Sequence, residues 1–139
     1  MKKLWAILCG IIGLLFAVGC TPTGDGEVRA TVETTETQVA IVVEAVEGDV
    51  MLIDVMATLQ EEGKLTFTTT ADGMVQSING KENKADWSAY WTLYISDAEL
   101  SDMTYGIEWN GQQLGFSNFG AESLPVVEGG VYVWQYFCA

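Results

Sequence analysis

The chain contains no histidine among its 139 residues. Histidine is the commonest general base and metal ligand, so its absence removes serine–histidine–acid triads and cysteine–histidine pairs. A zinc site would have only carboxylates and a cysteine, a poor ligand set for that metal. No glycine-rich phosphate loop occurs, and no spacing indicates paired-carboxylate chemistry, although composition alone leaves it open. The sequence therefore disfavours an enzyme, and we expect no metal or other cofactor.

Basic side chains are scarce, with 6 Lys and Arg against 19 Asp and Glu. After residue 20, four basic and 19 acidic side chains give a net charge of −15. This charge excludes nucleic acid as a partner, because the phosphate backbone requires a basic surface. It also opposes electrostatic docking on anionic lipids. We interpret the acidic surface as a solubilising one, in preference to an acidic recognition surface.

The N-terminus carries the pattern of a secretory signal peptide. Lys2 and Lys3 precede an apolar run over residues 4–18, which is shorter than the ~20 residues that a membrane-spanning helix needs. The run ends in AVGC (residues 17–20), which resembles a bacterial lipobox. The resemblance implies that residues 1–19 are a lipoprotein signal peptide and that Cys20 carries the lipid anchor. The protein is then exported and anchored to the extracytoplasmic face of a bacterial membrane. An uncleaved membrane helix is the alternative.

Cysteine is also scarce, with three in the chain. Cys9 would leave with the signal peptide and Cys20 would be lipidated, so Cys138 has no partner for a disulfide. The exported domain must then be held together by its apolar core. We interpret Cys138 as a small apolar residue at a strand end rather than a reactive thiol, because nothing basic lies near it in sequence.

Residues 20–36 are rich in threonine, glycine and acids, and we interpret them as a lipidated, flexible tether. The folded domain is expected over residues 37–138. Alternating apolar residues predict strands at 39–45, 65–70, 74–78, 90–95, 105–109 and 131–137. Apolar residues at 52, 55, 56 and 59 predict one amphipathic helix, with Asp49 as its cap. Asn110-Gly111 between two alternating runs predicts a β-hairpin.

Eight aromatic residues fall within 33 positions, from Trp87 to Phe119. Alternation places Trp91 on the core face of its strand and places Tyr90 and Tyr94 on the other face. An aromatic second face is a candidate binding surface, and the alternative is that both faces are covered.

Asp97, Glu99 and Asp102 form the densest acidic cluster in the second half of the chain. Such a cluster could bind calcium, but it lacks the spacing and the glycine of a calcium loop. We favour a solvated acidic turn.

Three segments resemble the transcobalamin-like C-terminal domain, the β-grasp-like domain that ends transcobalamin and intrinsic factor and also occurs in bacterial surface lipoproteins. They are VQSINGK (residues 75–81), YWTLY (90–94) and PVVEGG (125–130). They come in this order after a strand, a helix and a strand, and before a last strand, which is the order that resembles the family. The resemblance covers roughly residues 37–137. It implies that the domain covers one face of a cobalamin, with Trp91 at the family tryptophan and Leu114-Gly115 at an apolar contact. The helical barrel that holds the other face in the vitamin carriers has no counterpart here.

Together these observations predict an α+β domain: a β-grasp-like mixed sheet, one main helix packed on one face, and an extra β-hairpin. The expected function is non-enzymatic binding of a small amphipathic ligand, with cobalamin or another corrinoid as the candidate. The alternative is a protein or cell-wall interaction module at the cell surface. The candidate ligand-binding residues are Tyr90, Trp91, Tyr94, Leu114, Phe116 and Phe119.

Overall fold

The computed structural model describes residues 27–138. The expected signal peptide, Cys20 and the first part of the expected tether lie outside the described residues. Within residues 27–138 the structure is mostly β with one α-helix, as the sequence predicts. No helix in this range is long and apolar enough to cross a membrane.

Nine strands, one α-helix and two short 3₁₀ helices make up the described part of the chain. They are β1 (Val28–Thr34), β2 (Gln38–Val46), α1 (Leu52–Glu61), β3 (Phe67–Thr69), β4 (Val75–Ile78), β5 (Lys81–Glu82), β6 (Ala89–Ile95), a 3₁₀ helix (Ala98–Leu100), β7 (Ser101–Trp109), β8 (Gln112–Ser117), a second 3₁₀ helix (Ala121–Ser123) and β9 (Val131–Cys138).

Six strands form the main sheet in the order β1-β2-β9-β6-β8-β7, and β3, β4 and β5 form a smaller sheet. All seven strand pairings among residues 27–138 are antiparallel, so the expectation of a mixed sheet is wrong. The reason lies at the start of β9. The turn at Gly129-Gly130 exchanges backbone hydrogen bonds of 2.7 and 2.9 Å with Val43 of β2, which sends β9 back along β2 in the opposite direction.

Strand β1 occupies residues that we expected to belong to the flexible tether. It pairs along its whole length with β2, with Val28 opposite Val46 and Thr34 opposite Val39. The turn between the two strands is closed by a 2.8 Å hydrogen bond from the Thr35 N–H to the Gln38 carbonyl. The folded domain therefore begins about nine residues earlier than predicted, near Val28.

One face of the main sheet carries the larger hydrophobic core. Cross-strand rows run through it: Trp134 of β9 lies between Val39 of β2 and Leu93 of β6. Helix α1 packs on this face through side chains at the predicted helical spacing, which confirms that expectation. These buried side chains are Leu52, Val55, Met56 and Leu59.

The start of α1 differs from the prediction, because the helix begins after Met51 and Asp49 is not its cap. Instead, the Asp54 carboxylate accepts a 3.0 Å hydrogen bond from the Met51 backbone N–H. An acidic side chain in the first turn also interacts favourably with the positive end of the helix dipole.

The β7–β8 hairpin covers part of the second face of the sheet. Its turn is Asn110-Gly111, with φ angles of 49° and 80°, as the sequence predicts. Leu114 of β8 packs in a second apolar cluster with Val131 and Val133 of β9, and Trp109 packs against the same cluster. The hairpin therefore contributes side chains that cover part of this face.

Candidate functional site

A cleft opens where strands β6 and β8 diverge. Strand β6 pairs with β9 along its full length, Ala89–Ile95, but it pairs with β8 only at Tyr94 and Ile95. Beyond this point β8 turns away, because the Ser117 hydroxyl donates to the Phe119 carbonyl at 2.7 Å and accepts from the Phe119 N–H at 3.1 Å. The resulting cleft has a volume of about 530 Å³. This volume is in the range of small-molecule sites.

Six aromatic side chains line the cleft. Three of them are exposed at the mouth: Trp87 at 55%, Phe116 at 43% and Phe119 at 43%. Exposed rings of this size that converge on one concavity are unusual on a monomeric surface and mark binding sites. In full, the aromatic lining residues are Trp87, Tyr90, Trp91, Phe116, Phe119 and Trp134.

Two buried polar atoms in the cleft wall have no hydrogen-bond partner among the described residues. They are Nε1 of Trp134 and Oγ1 of Thr92. Both residues line the cleft, and both are more than nine-tenths buried. Leaving a buried polar group unpaired costs about 1–3 kcal/mol, so most folded proteins satisfy such groups. Both atoms have almost no accessible surface, so the free cleft does not expose them.

Trp91 is a fixed part of the wall. Its Nε1–H donates to the Lys81 carbonyl at 2.8 Å, and its backbone N–H donates to Oδ1 of Asn83 at 2.8 Å. Its ring centroid lies 5.0 Å from that of Tyr136 in a tilted arrangement. Because its donors are already paired, Trp91 offers the cleft an apolar ring surface and no hydrogen bond.

The cleft is acidic at its rim. Asp72 and Glu122 line it and are exposed, and none of its lining residues is lysine or arginine. Nothing in the lining would compensate a negative charge on a ligand. The site therefore suits an uncharged or positively charged molecule.

A short loop before β6 presents Trp87 to the mouth. The loop is closed by hydrogen bonds from the Lys84 N–H to the Ala89 carbonyl (2.8 Å) and from the Trp87 N–H to the Lys84 carbonyl (2.9 Å). The Asp86 carboxylate accepts hydrogen bonds from the side chain and backbone of Ser88, and these hold the pKa of Asp86 below its ordinary value. Trp87 contacts the ring of Tyr90 edge-on, with centroids 5.9 Å apart.

Four of the six candidate residues line the cleft: Tyr90, Trp91, Phe116 and Phe119. The other two do not. Leu114 is 0% exposed and Tyr94 is buried, because the β7–β8 hairpin covers that part of the second face. The expectation that these two side chains form an exposed patch is therefore wrong.

Sequence reasoning did not assign Trp87, Thr92 or Trp134 to the site. The alternation of Trp134 with Tyr132 and Tyr136 in β9 could have placed its side chain on the helix-covered face, which also carries Trp91. No local pattern indicates that the hydroxyl of Thr92 would lack a partner.

Two other features of the described residues were considered as sites, a second hollow and the acidic cluster. A larger hollow of about 850 Å³ is lined by polar residues of the β4–β5 hairpin together with apolar and aromatic side chains, and the exposed Cys138 is among its lining residues. In the acidic cluster, Asp97 and Asp102 each accept a 2.9 Å hydrogen bond from a nearby backbone N–H. Among residues 27–138, no three acidic or cysteine side chains are grouped so that they could hold a metal ion.

Comparison of the chain with protein-family models, with curated proteins and with solved structures finds no match.

Proposed function

We propose that this chain is an exported, membrane-anchored lipoprotein whose domain binds a small, uncharged amphipathic ligand in the aromatic cleft, without catalysis. The observation that carries the proposal is the convergence of six aromatic side chains on one concavity, three of them exposed. Apolar contact area supplies affinity, and a few polar groups fix orientation. The absence of histidine and the exposure of both carboxylates, Asp72 and Glu122, favour binding over acid–base chemistry.

The transcobalamin-like β-grasp assignment belongs to this proposal. It is supported by a single helix on one face of the sheet, by the additional β7–β8 hairpin, and by the position of Trp91 in the cleft wall. The antiparallel pairing of β2 with β9 departs from a mixed sheet, and Leu114 is buried. A corrinoid remains a candidate ligand, but its macrocycle is larger than the cleft. Only one edge of it would enter, and we expect micromolar or weaker affinity.

Two phenylalanines provide a matched test of the cleft. Phe119 lines it and is 43% exposed, whereas Phe137 lies outside it and is 38% exposed. In isothermal titration of the detergent-solubilised chain with cobalamin and cobinamide, Phe119→Ala should weaken binding about tenfold, as for a central contact residue. Phe137→Ala should leave the affinity unchanged, and both variants should melt within a few degrees of the parent. Equal losses in both variants would place the ligand elsewhere.

A second candidate function is contact with a surface protein or the cell wall through the second face of the sheet. A strip of five aromatic rings crosses that face, with successive centroids 5.9–6.4 Å apart. In order the rings are Trp87, Tyr90, Phe137, Tyr94 and Phe116. Rigid aromatic side chains supply large contact areas at low entropic cost. Loss of cell-wall or partner binding in Phe137→Ala, with Phe119→Ala unaffected, would favour this function.

The anchoring proposal rests on the N-terminal sequence and has its own test. Cys20→Ser should abolish labelling of the protein by a clickable fatty acid, because lipidation of this kind requires the thiol. Cys138→Ser is the matched control and should label normally. Persistent label on Cys20→Ser would contradict the lipoprotein assignment.

A further inference from the structure

We infer that the outer edge of strand β1 pairs with β1 of a second copy of this chain, so that the main sheets of two copies join across a twofold axis. The inference is independent of the ligand of the aromatic cleft. It follows from the backbone groups, the charges and the half-buried side chains that β1 presents at the edge of the sheet.

Strand β1 is an end strand of the six-stranded sheet, and β2 is its one pairing partner within residues 27–138. The Glu27 carbonyl accepts a 2.9 Å hydrogen bond from the Glu47 N–H of the β2 side, and the Thr35 N–H donates to the Gln38 carbonyl at 2.8 Å. Odd-numbered residues therefore direct their backbone groups to β2. Since these groups alternate in direction along an antiparallel strand, the even-numbered residues direct theirs outward. None of the described residues pairs with them, so the outer edge is a row of free donors and acceptors.

The charges of β1 match those of a second copy in one register. A twofold pairing centred on Thr31 places Arg29 of each copy opposite Glu33 of the other. All three side chains are exposed, and they lie on the face of β1 that is turned away from the helix. Opposite charges directly across a strand pair stabilise it, and like charges destabilise it. Sliding the register by two residues loses the match, because Glu33 then faces Glu27 or Thr31 of the other copy.

The same register brings apolar side chains together on the helix-covered face. It places Ala30 opposite Val32 of the other copy, and Val28 opposite Thr34. Val28 and Val32 pack against the larger core but are only half-buried in a single copy. Pairing covers part of their remaining surface, which adds apolar burial to the backbone hydrogen bonds.

Strand β7, at the opposite edge of the sheet, lacks this complementarity. Its charged residues are Asp102 and Glu108, it contains no lysine or arginine, and its register with β8 is irregular between Asp102 and Gly106. Bulges and charges of one sign are devices that protect the edges of natural sheets. A twofold pairing of β7 centred on Tyr105 would set Asp102 opposite Glu108, and no register offers either acid a basic partner. Of the two edges, β1 is the one that suits a copy of this chain.

The test is disulfide trapping in the detergent-solubilised full chain. One strand from each copy is a small contact, so a covalent bond is needed to capture the pair. Every variant carries Cys138→Ser, which removes the exposed native thiol. Thr31→Cys places two thiols at the twofold axis, at a separation that a disulfide spans, and mild oxidation should yield a linked dimer. Thr34→Cys is the matched control, since its thiols lie about 20 Å apart along the strands and should yield at least about tenfold less dimer.

Charge reversal tests the register. Adding Arg29→Glu to the Thr31→Cys chain should lower the dimer yield about threefold or more, because like charges then face each other. Adding Glu33→Arg as well should restore the yield, because the charges are matched again. The exposed ion pair of Arg29 with Glu44 at 3.4 Å is lost in both variants, so it cannot account for the restoration.

The remaining outcomes would overturn the inference. Equal yields from Thr31→Cys and Thr34→Cys would show random collision, and no dimer from either would show that the edges do not meet. A yield that is indifferent to Arg29→Glu would contradict the proposed register. Linkage of Thr31→Cys to a different protein in cell membranes, without the homodimer, would assign the edge to another partner.

Discussion

The backbone of Trp87 lies in the left-handed region, with a φ of 60°. Two other non-glycine residues in the described chain share this property, Asn79 and Asn110, and both sit in hairpin turns where asparagine commonly adopts it. A bulky residue in this conformation costs about 1–2 kcal/mol relative to glycine. Since Trp87 is 55% exposed, little burial offsets that cost. The cost is consistent with the proposed role of this ring in ligand binding.

Replacing Trp87 with glycine and with alanine separates the ring from the backbone. Both variants remove the ring and should weaken ligand binding by the same factor, about tenfold. Trp87→Gly should be more stable than Trp87→Ala by ~1 kcal/mol, because alanine keeps the left-handed strain and glycine relieves it. Urea unfolding and titration with the ligand measure the two effects. Unchanged affinity in both variants would remove Trp87 from the site.

At the scale of elements, local periodicity predicts most of the fold. The helical spacing from Leu52 to Leu59 gives α1 and its buried face, and Asn110-Gly111 gives the β7–β8 hairpin. Strand β1 was missed although Val28, Ala30 and Val32 alternate, because threonine, glycine and acids dominate the segment around them. Such a composition is typical of a tether, and only the pairing with β2 shows that the segment is a strand.

The cleft could not be predicted at this scale. It exists because β6 and β8 share only two paired residues, and the extent of pairing between distant strands has no local sequence signal. Aromatic density identified the region, and alternation assigned Trp91 and Tyr94 to opposite faces. Whether a residue on the second face is exposed, like Phe116, or buried, like Tyr94, depends on which neighbouring side chains cover it.

The packing of α1 on the sheet is tested by a core and a surface substitution in one helix. Leu59 is 1% exposed, so Leu59→Ala should lower the free energy of unfolding by about 2–5 kcal/mol. Ala57 is exposed on the opposite side, so Ala57→Lys should change it by less than ~0.5 kcal/mol. Urea denaturation of both variants gives the comparison. Similar effects in the two would mean that the helix packs through a different face.

For the whole molecule, the large negative charge and the apolar cleft have separate consequences. Ligand binding should depend little on salt, because screening acts on charges and not on apolar burial or neutral hydrogen bonds.

The stability of the folded domain should depend on alkaline pH through a tyrosine of the core. Burial raises the pKa of Tyr132 above its ordinary value of 10.0, and a hydrogen bond from the Val127 N–H at 3.0 Å opposes part of this shift.

The sign of the alkaline effect follows from the raised pKa of Tyr132. The folded state favours the neutral phenol, so this stabilisation is complete below pH about 10 and is lost as the pH rises through the folded pKa. Tyr132→Phe should lower stability at neutral pH by about 0.5–1.5 kcal/mol, through loss of the acceptor for Val127. Its stability should then fall less steeply above pH about 10 than that of the parent. Tyr105→Phe, at a 69% exposed position, should follow the parent curve.

The indole N–H resonance of Trp134 tests the central claim most directly. The chain has five tryptophans, and the Trp134→Phe and Trp109→Phe variants assign two of their indole peaks in a nitrogen–proton correlation spectrum. If the cleft binds the ligand, saturation with cobinamide should move the Trp134 indole peak, because Trp134 lines the cleft, and leave the Trp109 peak in place. A Trp134 peak that stays in place while titration calorimetry records saturation would contradict the assignment of the cleft as the binding site.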